Sequence, residues 1–182
     1  MLVLVVALAC ALGLATATST SRASGSGALA PVSEAYVRSL GARIATFQRS
    51  TWRWERLMGE PLSRTEGRTL AEMNVHDVAA AVELWQRRAT AVEARAHHPP
   101  HLRAWLCIHR YEGSWTDPGA PYYGGLQMDL GFQRHYGAQL LRTKGTADHW
   151  LPLEQIWVAE RAHRSGRGFY PWPNTARACG LI

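Results

Sequence analysis

The segment richest in chemistry is Trp105-Leu-Cys-Ile-His-Arg-Tyr-Glu112-Gly-Ser-Trp115. Its spacing predicts a helix over about 101–111, with Gly113 as its breaker, so the helix carries the Glu112 carboxyl to its own C-terminal end. An acid placed there faces the negative end of the helix dipole, which favours its protonated form. Tyr111, Trp115 and later aromatics offer an apolar wall that acts in the same direction. A carboxyl that keeps its proton beside aromatic rings is what cleavage of a glycosidic bond needs, because the leaving oxygen must be protonated. Trp105, His109 and Glu112 share one face of this helix, whereas Cys107 lies about 140° away from Glu112. The plainer reading of Glu112 is an exposed helix-end acid, the commonest fate of glutamate.

Downstream, Tyr123-Gly-Gly-Leu-Gln127-Met predicts a short strand over Gly125–Met128. Its glycines suit a tight turn, or close approach of a ligand to the backbone. Gln127 reads equally as a ligand contact and as a structural hydrogen-bonder. Trp115, Tyr122, Tyr123 and Trp172 read either as stacking platforms for sugar rings or as core. Asp117, Asp129 and Asp148 are candidates for a second carboxylate, which a retaining hydrolase would hold about 5 Å from the first. Asp117 precedes Pro118-Gly119 and is read more simply as a turn. His97, His98, His101 and His109 resemble metal ligands at first sight. The intervening Pro-Pro, and the lack of a carboxylate or thiolate in ligand spacing, favour solvated or packing histidines instead.

Several elements must position these residues. Residues 33–58 carry Tyr36, Val37, Leu40, Ile44 and Phe47 at three- and four-residue steps, a helical pattern started by Ser33 and ended by Gly59-Glu-Pro61. A second helical run covers about 69–96 and stops at His97-His98-Pro99-Pro100. The short polar connection suggests an antiparallel helical hairpin over 33–98, which either packs on the next domain or acts as a spacer. Residues 99–182 form the compact unit. There, helices are expected at about 129–141 and from Pro152 to Gly166, with Glu154 at the positive end of the second and Arg161, His163 and Arg164 at its negative end. The tail Phe169-Tyr-Pro-Trp-Pro-Asn174 reads as an aromatic loop ending at Cys179. The fold class is therefore predominantly α with a small β element.

Composition and the N-terminus bear on location. Residues 1–17 are uncharged and apolar, too short to span a bilayer, and end in Ala15-Thr16-Ala17, a small-x-small pattern that reads as a signal peptide. A start without Lys or Arg departs from the usual leader. Residues 18–32 are mostly Ser, Thr, Ala and Gly, with Pro31 near the end, a flexible linker by composition. Loss of the leader removes Cys10 and leaves Cys107 and Cys179, which read as a disulfide in an exported chain. All but one of the 20 Lys and Arg residues are Arg, and the net charge is +6. A basic exported chain suits an anionic polymer such as cell wall. Nucleic acid would also attract it, but no nucleic-acid motif is present.

Together, Tyr111-Glu112-Gly113-x-Trp115, Tyr123-Gly-Gly-Leu-Gln127-Met, Glu154-Gln155-Ile-Trp157-Val-Ala-Glu160-Arg161-Ala and Tyr170-Pro-Trp172-Pro before Cys179-Gly180 resemble a known family. The order and spacing are similar to the lysozyme-like resuscitation-promoting factor and transglycosylase-like domains of bacterial cell-wall enzymes, over residues 101–182. The resemblance implies an α+β lysozyme-like domain in which Glu112 is the catalytic acid for cleavage of peptidoglycan glycan strands, by lytic transglycosylation or as a muramidase. It implies substrate contacts from Gln127, Trp115, Tyr123, Gly125 and Trp172, and pairing of Cys107 with Cys179. In the family's familiar pattern the cysteine directly precedes the glutamate; here it stands five residues earlier. No metal or organic cofactor is required by that chemistry. The expected partners are peptidoglycan strands and other cell-wall hydrolases, with no stable membrane association after leader removal and a secreted or wall-associated location. A non-catalytic peptidoglycan-binding module is the alternative.

Overall fold

The computed structural model describes residues 33–65 and 72–182. The leader and linker expected over 1–32 lie outside the described residues. Helix α1 spans Glu34–Met58; the Ser33 side chain accepts from the Tyr36 N–H at its start and Gly59 closes its end. Helix α2 spans Val75–Ala96, starting later than expected because Asn74 caps it by accepting from the Asp77 N–H. Its buried residues Val78, Val82, Trp85, Ala89, Val92 and Ala96 recur every three or four positions, the stripe of a helix packed on one side.

The two helices do not form the antiparallel hairpin expected from sequence; they run parallel. Leu40 and Ile44, early in α1, cluster with Val78 and Val82, early in α2. Trp54 and Met58, late in α1, cluster with Val92 and Ala96, late in α2. The Trp52 and Trp85 rings meet edge to face at 5.9 Å, and Arg95 pairs with Glu60 at 2.9 Å. The connection, residues 59–74, is long enough for a return crossing. Sixteen residues reach about 53 Å when extended, against about 37 Å for a 25-residue helix. The return begins at Ser63, whose N–H and hydroxyl donate to the Glu55 carboxylate, and whose carbonyl accepts from the Trp52 indole.

After α3 (Leu102–Glu112) come two short strands, β1 (Tyr122–Tyr123) and β2 (Met128–Asp129), paired antiparallel with Tyr122 opposite Asp129. The expected strand over 125–128 is mostly the turn between them. A single helix over 129–141 was expected; α4 (Leu130–Tyr136) and α5 (Ala138–Lys144) instead part at Gly137, where the Trp150 ring packs against the backbone. Helix α6 (Pro152–Ala162) starts at Pro152 as expected, and the Leu151 N–H donates to the Glu154 carboxylate at 2.9 Å. It continues into a widened turn, His163–Arg167, that ends it before Gly168. The aromatic tail is not all loop: Pro173–Ala178 is helix α7, with Pro173 in its first turn.

All described residues belong to one packed unit. Its main core joins Trp105, Ile108, Leu126, Met128, Phe132, Trp150, Ile156, Val158, Phe169 and Trp172. The α1–α2 pair docks on α6 through Trp157, whose indole N–H donates to the Ala96 carbonyl at 2.7 Å. Arg161 donates to the carbonyls of Arg56 and Leu57, both at 3.1 Å, and Arg164 to that of Met58, so two cations cap the negative end of α1. Burial, and then Arg164, push the Arg161 guanidinium down to about 10, still charged at neutral pH. Among the described residues no helix is long and apolar enough to cross a membrane.

Candidate active site

Helix α3 is anchored by Trp105 and Ile108, both fully buried, and ends with Glu112 half-buried at its last position. Gly113 then takes φ 151°, a conformation that side chains rarely adopt, and lets the chain turn away from the helix. A Cβ at Gly113 would lie 3.4 Å from Asp117 Oδ2 and 3.5 Å from Gln127 Nε2, so these two side chains sit against the residue that follows Glu112.

Glu112 Oε1 accepts a 2.7 Å hydrogen bond from the Thr175 hydroxyl of α7. Two tethers hold α7 in place. The Trp172 indole donates to the Leu126 carbonyl at 2.6 Å just before α7 begins. Just after it, Cys179 is disulfide-bonded to Cys107 of α3. Cys107 and Glu112, on one helix, thus both hold α7 to it.

The turn between β1 and β2 is braced from below. The Gly125 N–H donates to Gln155 Oε1 at 2.9 Å, and Gln155 Nε2 lies within donating distance of the carbonyls of Trp115, Ala147 and Trp150. A Cβ at Gly125 would stand 2.6 Å from His109 Nδ1 and 2.7 Å from the Trp115 ring, so this position is glycine for packing. It is buried and offers no surface to a ligand, unlike the sequence expectation. Gln127 lies in the turn at φ 46°, not on a strand. Its Nε2 donates to Asp117 Oδ2 and to the Gly124 carbonyl, both at 2.9 Å, which offsets the roughly 1–2 kcal/mol cost of that left-handed backbone. Its Oε1 has no hydrogen-bond partner among the described residues.

The other ring candidates divide. Trp172 is buried in the core, 5% exposed, so it floors a groove and cannot serve as a stacking platform. Trp115 lies flat on His109, with ring centroids 3.9 Å apart, and Tyr111 is 56% exposed. The contact to the Glu112 carboxyl from outside its own helix is the Thr175 hydroxyl. Tyr123 packs partly against the core, while its neighbour Tyr122 is exposed.

Tyr122, Gln127, Asp129, Phe132, Arg167 and Trp172 line a groove of about 350 Å³. Glu112 is not one of its walls; the residue after it, Gly113, lies against the groove-lining Gln127. Of the candidate second carboxylates, Asp117 holds the turn by accepting from the Gly119 N–H and Gln127. Asp129 caps α4 by accepting from the Phe132 N–H, and Asp148 pairs with His149 before α6.

The four histidines singled out by sequence scatter. His97 rests on Trp54, His98 bonds the Ala94 carbonyl, and His109 bonds the Gly125 carbonyl. His101 alone meets a carboxylate, that of Glu160. Sequence reasoning assigned no role to Thr175, Gln155 or Glu160. The last two lie in the α6 motif that carried the resemblance; nothing local marks Thr175. Compared with known proteins, the chain matches no family model, no curated protein and no solved structure.

Proposed function

We propose that this chain cleaves the glycan strands of peptidoglycan, with Glu112 as the general acid and then the general base, within a lysozyme-like arrangement of α3, the β1–β2 turn and α7. The observation that carries the reading is the placement of Glu112: a half-buried carboxyl at a helix end, hydrogen-bonded by Thr175 and followed by Gly113, against which the groove-lining Gln127 sits. Thr175 occupies Oε1 and leaves Oε2 to carry the proton. Gln127 Oε1 is free to accept from a sugar hydroxyl or acetamido N–H, while its Nε2 stays tied to the protein.

In this reading Glu112 passes its proton to the oxygen linking N-acetylmuramic acid to N-acetylglucosamine, and the C1–O bond breaks to leave an oxocarbenium-like centre. Attack by the muramyl 6-hydroxyl, with its proton returning to Glu112, gives a 1,6-anhydro sugar. Attack by water gives a reducing end. Asp117 accepts from the Gly119 N–H through one oxygen and from Gln127 Nε2 through the other, which favours the single-carboxylate route. Export, with wall as the site of action, fits the Cys107–Cys179 pair.

A binding module without turnover is the second reading, favoured by one observation: Glu112 does not itself line the groove. The test is mass spectrometry of purified peptidoglycan incubated with the protein and with Glu112→Gln. Release of muropeptides by the parent, reduced at least about 100-fold in the variant, supports the enzyme. Products lighter by one water identify transglycosylation. Wall binding by both proteins with no release by either refutes catalysis and favours the binding module.

A further inference from the structure

At the opposite end of α3 from Glu112, the fold gathers a second group of chemical side chains. Glu160 on α6 is fully buried. Its Oε1 accepts from the His101 backbone N–H at 2.8 Å and from the Trp105 indole at 3.0 Å. Its Oε2 meets only His101 Nδ1, at 3.1 Å. Among the described residues no Lys or Arg pairs with this carboxylate. A buried carboxylate usually has a cation beside it or binds a metal.

The third member is His163. It follows Glu160 by three positions, at the start of the widened turn, so the two side chains leave the same face. Glu-x-x-His is a spacing that presents both groups to one ion. One ligand atom from each of His101, Glu160 and His163 lies within 4.8 Å of the others. Phe169 packs against both imidazoles, at 5.7 Å from His101 and 4.7 Å from His163, and forms an apolar floor. Both histidines are partly exposed, so water can reach them.

We propose that His101, Glu160 and His163 bind a divalent transition-metal ion of the zinc type, with water completing a tetrahedron. Two imidazole nitrogens and one carboxylate oxygen, with an open fourth position, suit that ion. The His101–Glu160 pair already stands near the edge length of such a tetrahedron, about 3.4 Å for bonds of about 2.1 Å. His163 closes on the ion by side-chain rotation. The ion would neutralise Glu160 and clamp the start of α3 to the end of α6, about 16 Å along α3 from Glu112. The site is independent of the glycan-cleavage reading.

The test uses the full chain, stripped with chelator and titrated with Zn²⁺ by calorimetry, and with Co²⁺ by visible absorption. One equivalent of zinc should bind, the Tm should rise, and cobalt should give the intense bands of a tetrahedral site. His163→Ala and His101→Ala should each weaken zinc binding at least tenfold, while alanine at His135, an exposed histidine of α4, should leave it unchanged. Far-UV circular dichroism confirms that each variant is folded; if His163→Ala is not, His163→Gln serves in its place. Failure of the parent to bind zinc, or unchanged affinity in the His163 and His101 variants, overturns the proposal.

Discussion

Replacing Gln155 by leucine tests how the turn bearing Gln127 is held. Gln155 is fully buried. It accepts from the Gly125 N–H and faces three carbonyls, those of Trp115, Ala147 and Trp150. An amide nitrogen has two hydrogens, so two of those carbonyls are fully served at any moment. Leucine keeps nearly the same volume, which makes the cavity contribution small. It strands the Gly125 N–H and two carbonyl oxygens in the interior. At about 1–3 kcal/mol for each unsatisfied buried group, partly relieved by relaxation, the loss is about 3–5 kcal/mol. A domain has only about 5–15 kcal/mol in total, and each kcal/mol shifts Tm by about 2–4 °C at this size, so Tm should fall by about 6–20 °C. Urea unfolding followed by tryptophan fluorescence and far-UV circular dichroism measures it. Gln155→Glu is a useful companion, because it keeps an acceptor for Gly125 but turns an oxygen toward the carbonyls; it should be no more stable than the leucine variant at neutral pH. A Gln155→Leu protein within about 1 kcal/mol of the parent would show that water or new partners satisfy these groups, and the bracing argument would fail.

Two further outcomes follow from the packing. Serine at both Cys107 and Cys179 opens a loop with a sequence separation of 72. This should cost about 4 kcal/mol on the chain-entropy account, seen as a lower Tm that added reductant no longer changes. Trp157→Phe leaves the Ala96 carbonyl without its indole donor and should cost about 1–3 kcal/mol by urea unfolding; a neutral result would mean that α2 does not depend on that bond for docking.

Much of the helical framework was legible locally. Ser33 and the apolar steps that follow it marked α1, Pro152 and Glu154 marked the start of α6, and Gly113 marked the end of α3. The signals for such features lie within one or two helical turns, because capping and amphipathic spacing are short-range effects. The legible part of the candidate site was similarly local: Glu112 at a helix end, and Asp117 in a turn. The sequence also suggested the Cys107–Cys179 pair, through cysteine count and the family resemblance.

What depended on the three-dimensional packing was of longer range. A periodic stripe says that a helix buries one side, but not which way its neighbour runs; the parallel course of α1 and α2 was decided by which apolar residues meet. Gln127 left the expected strand because its side chain could tie itself to Asp117 and Gly124. Trp172 became core because its indole met Leu126, 46 residues away. Thr175 reached Glu112 across 63 positions, and Glu160 reached His101 across 59. His101 showed no carboxylate in ligand spacing along the chain, and only folding supplied one. Residue types and local periodicity therefore determined the helices and the candidate acid. Tertiary packing decided which polar groups became partners, since a hydrogen bond or ion site is set by distance in space, and spacing along the chain does not encode that distance beyond a few turns.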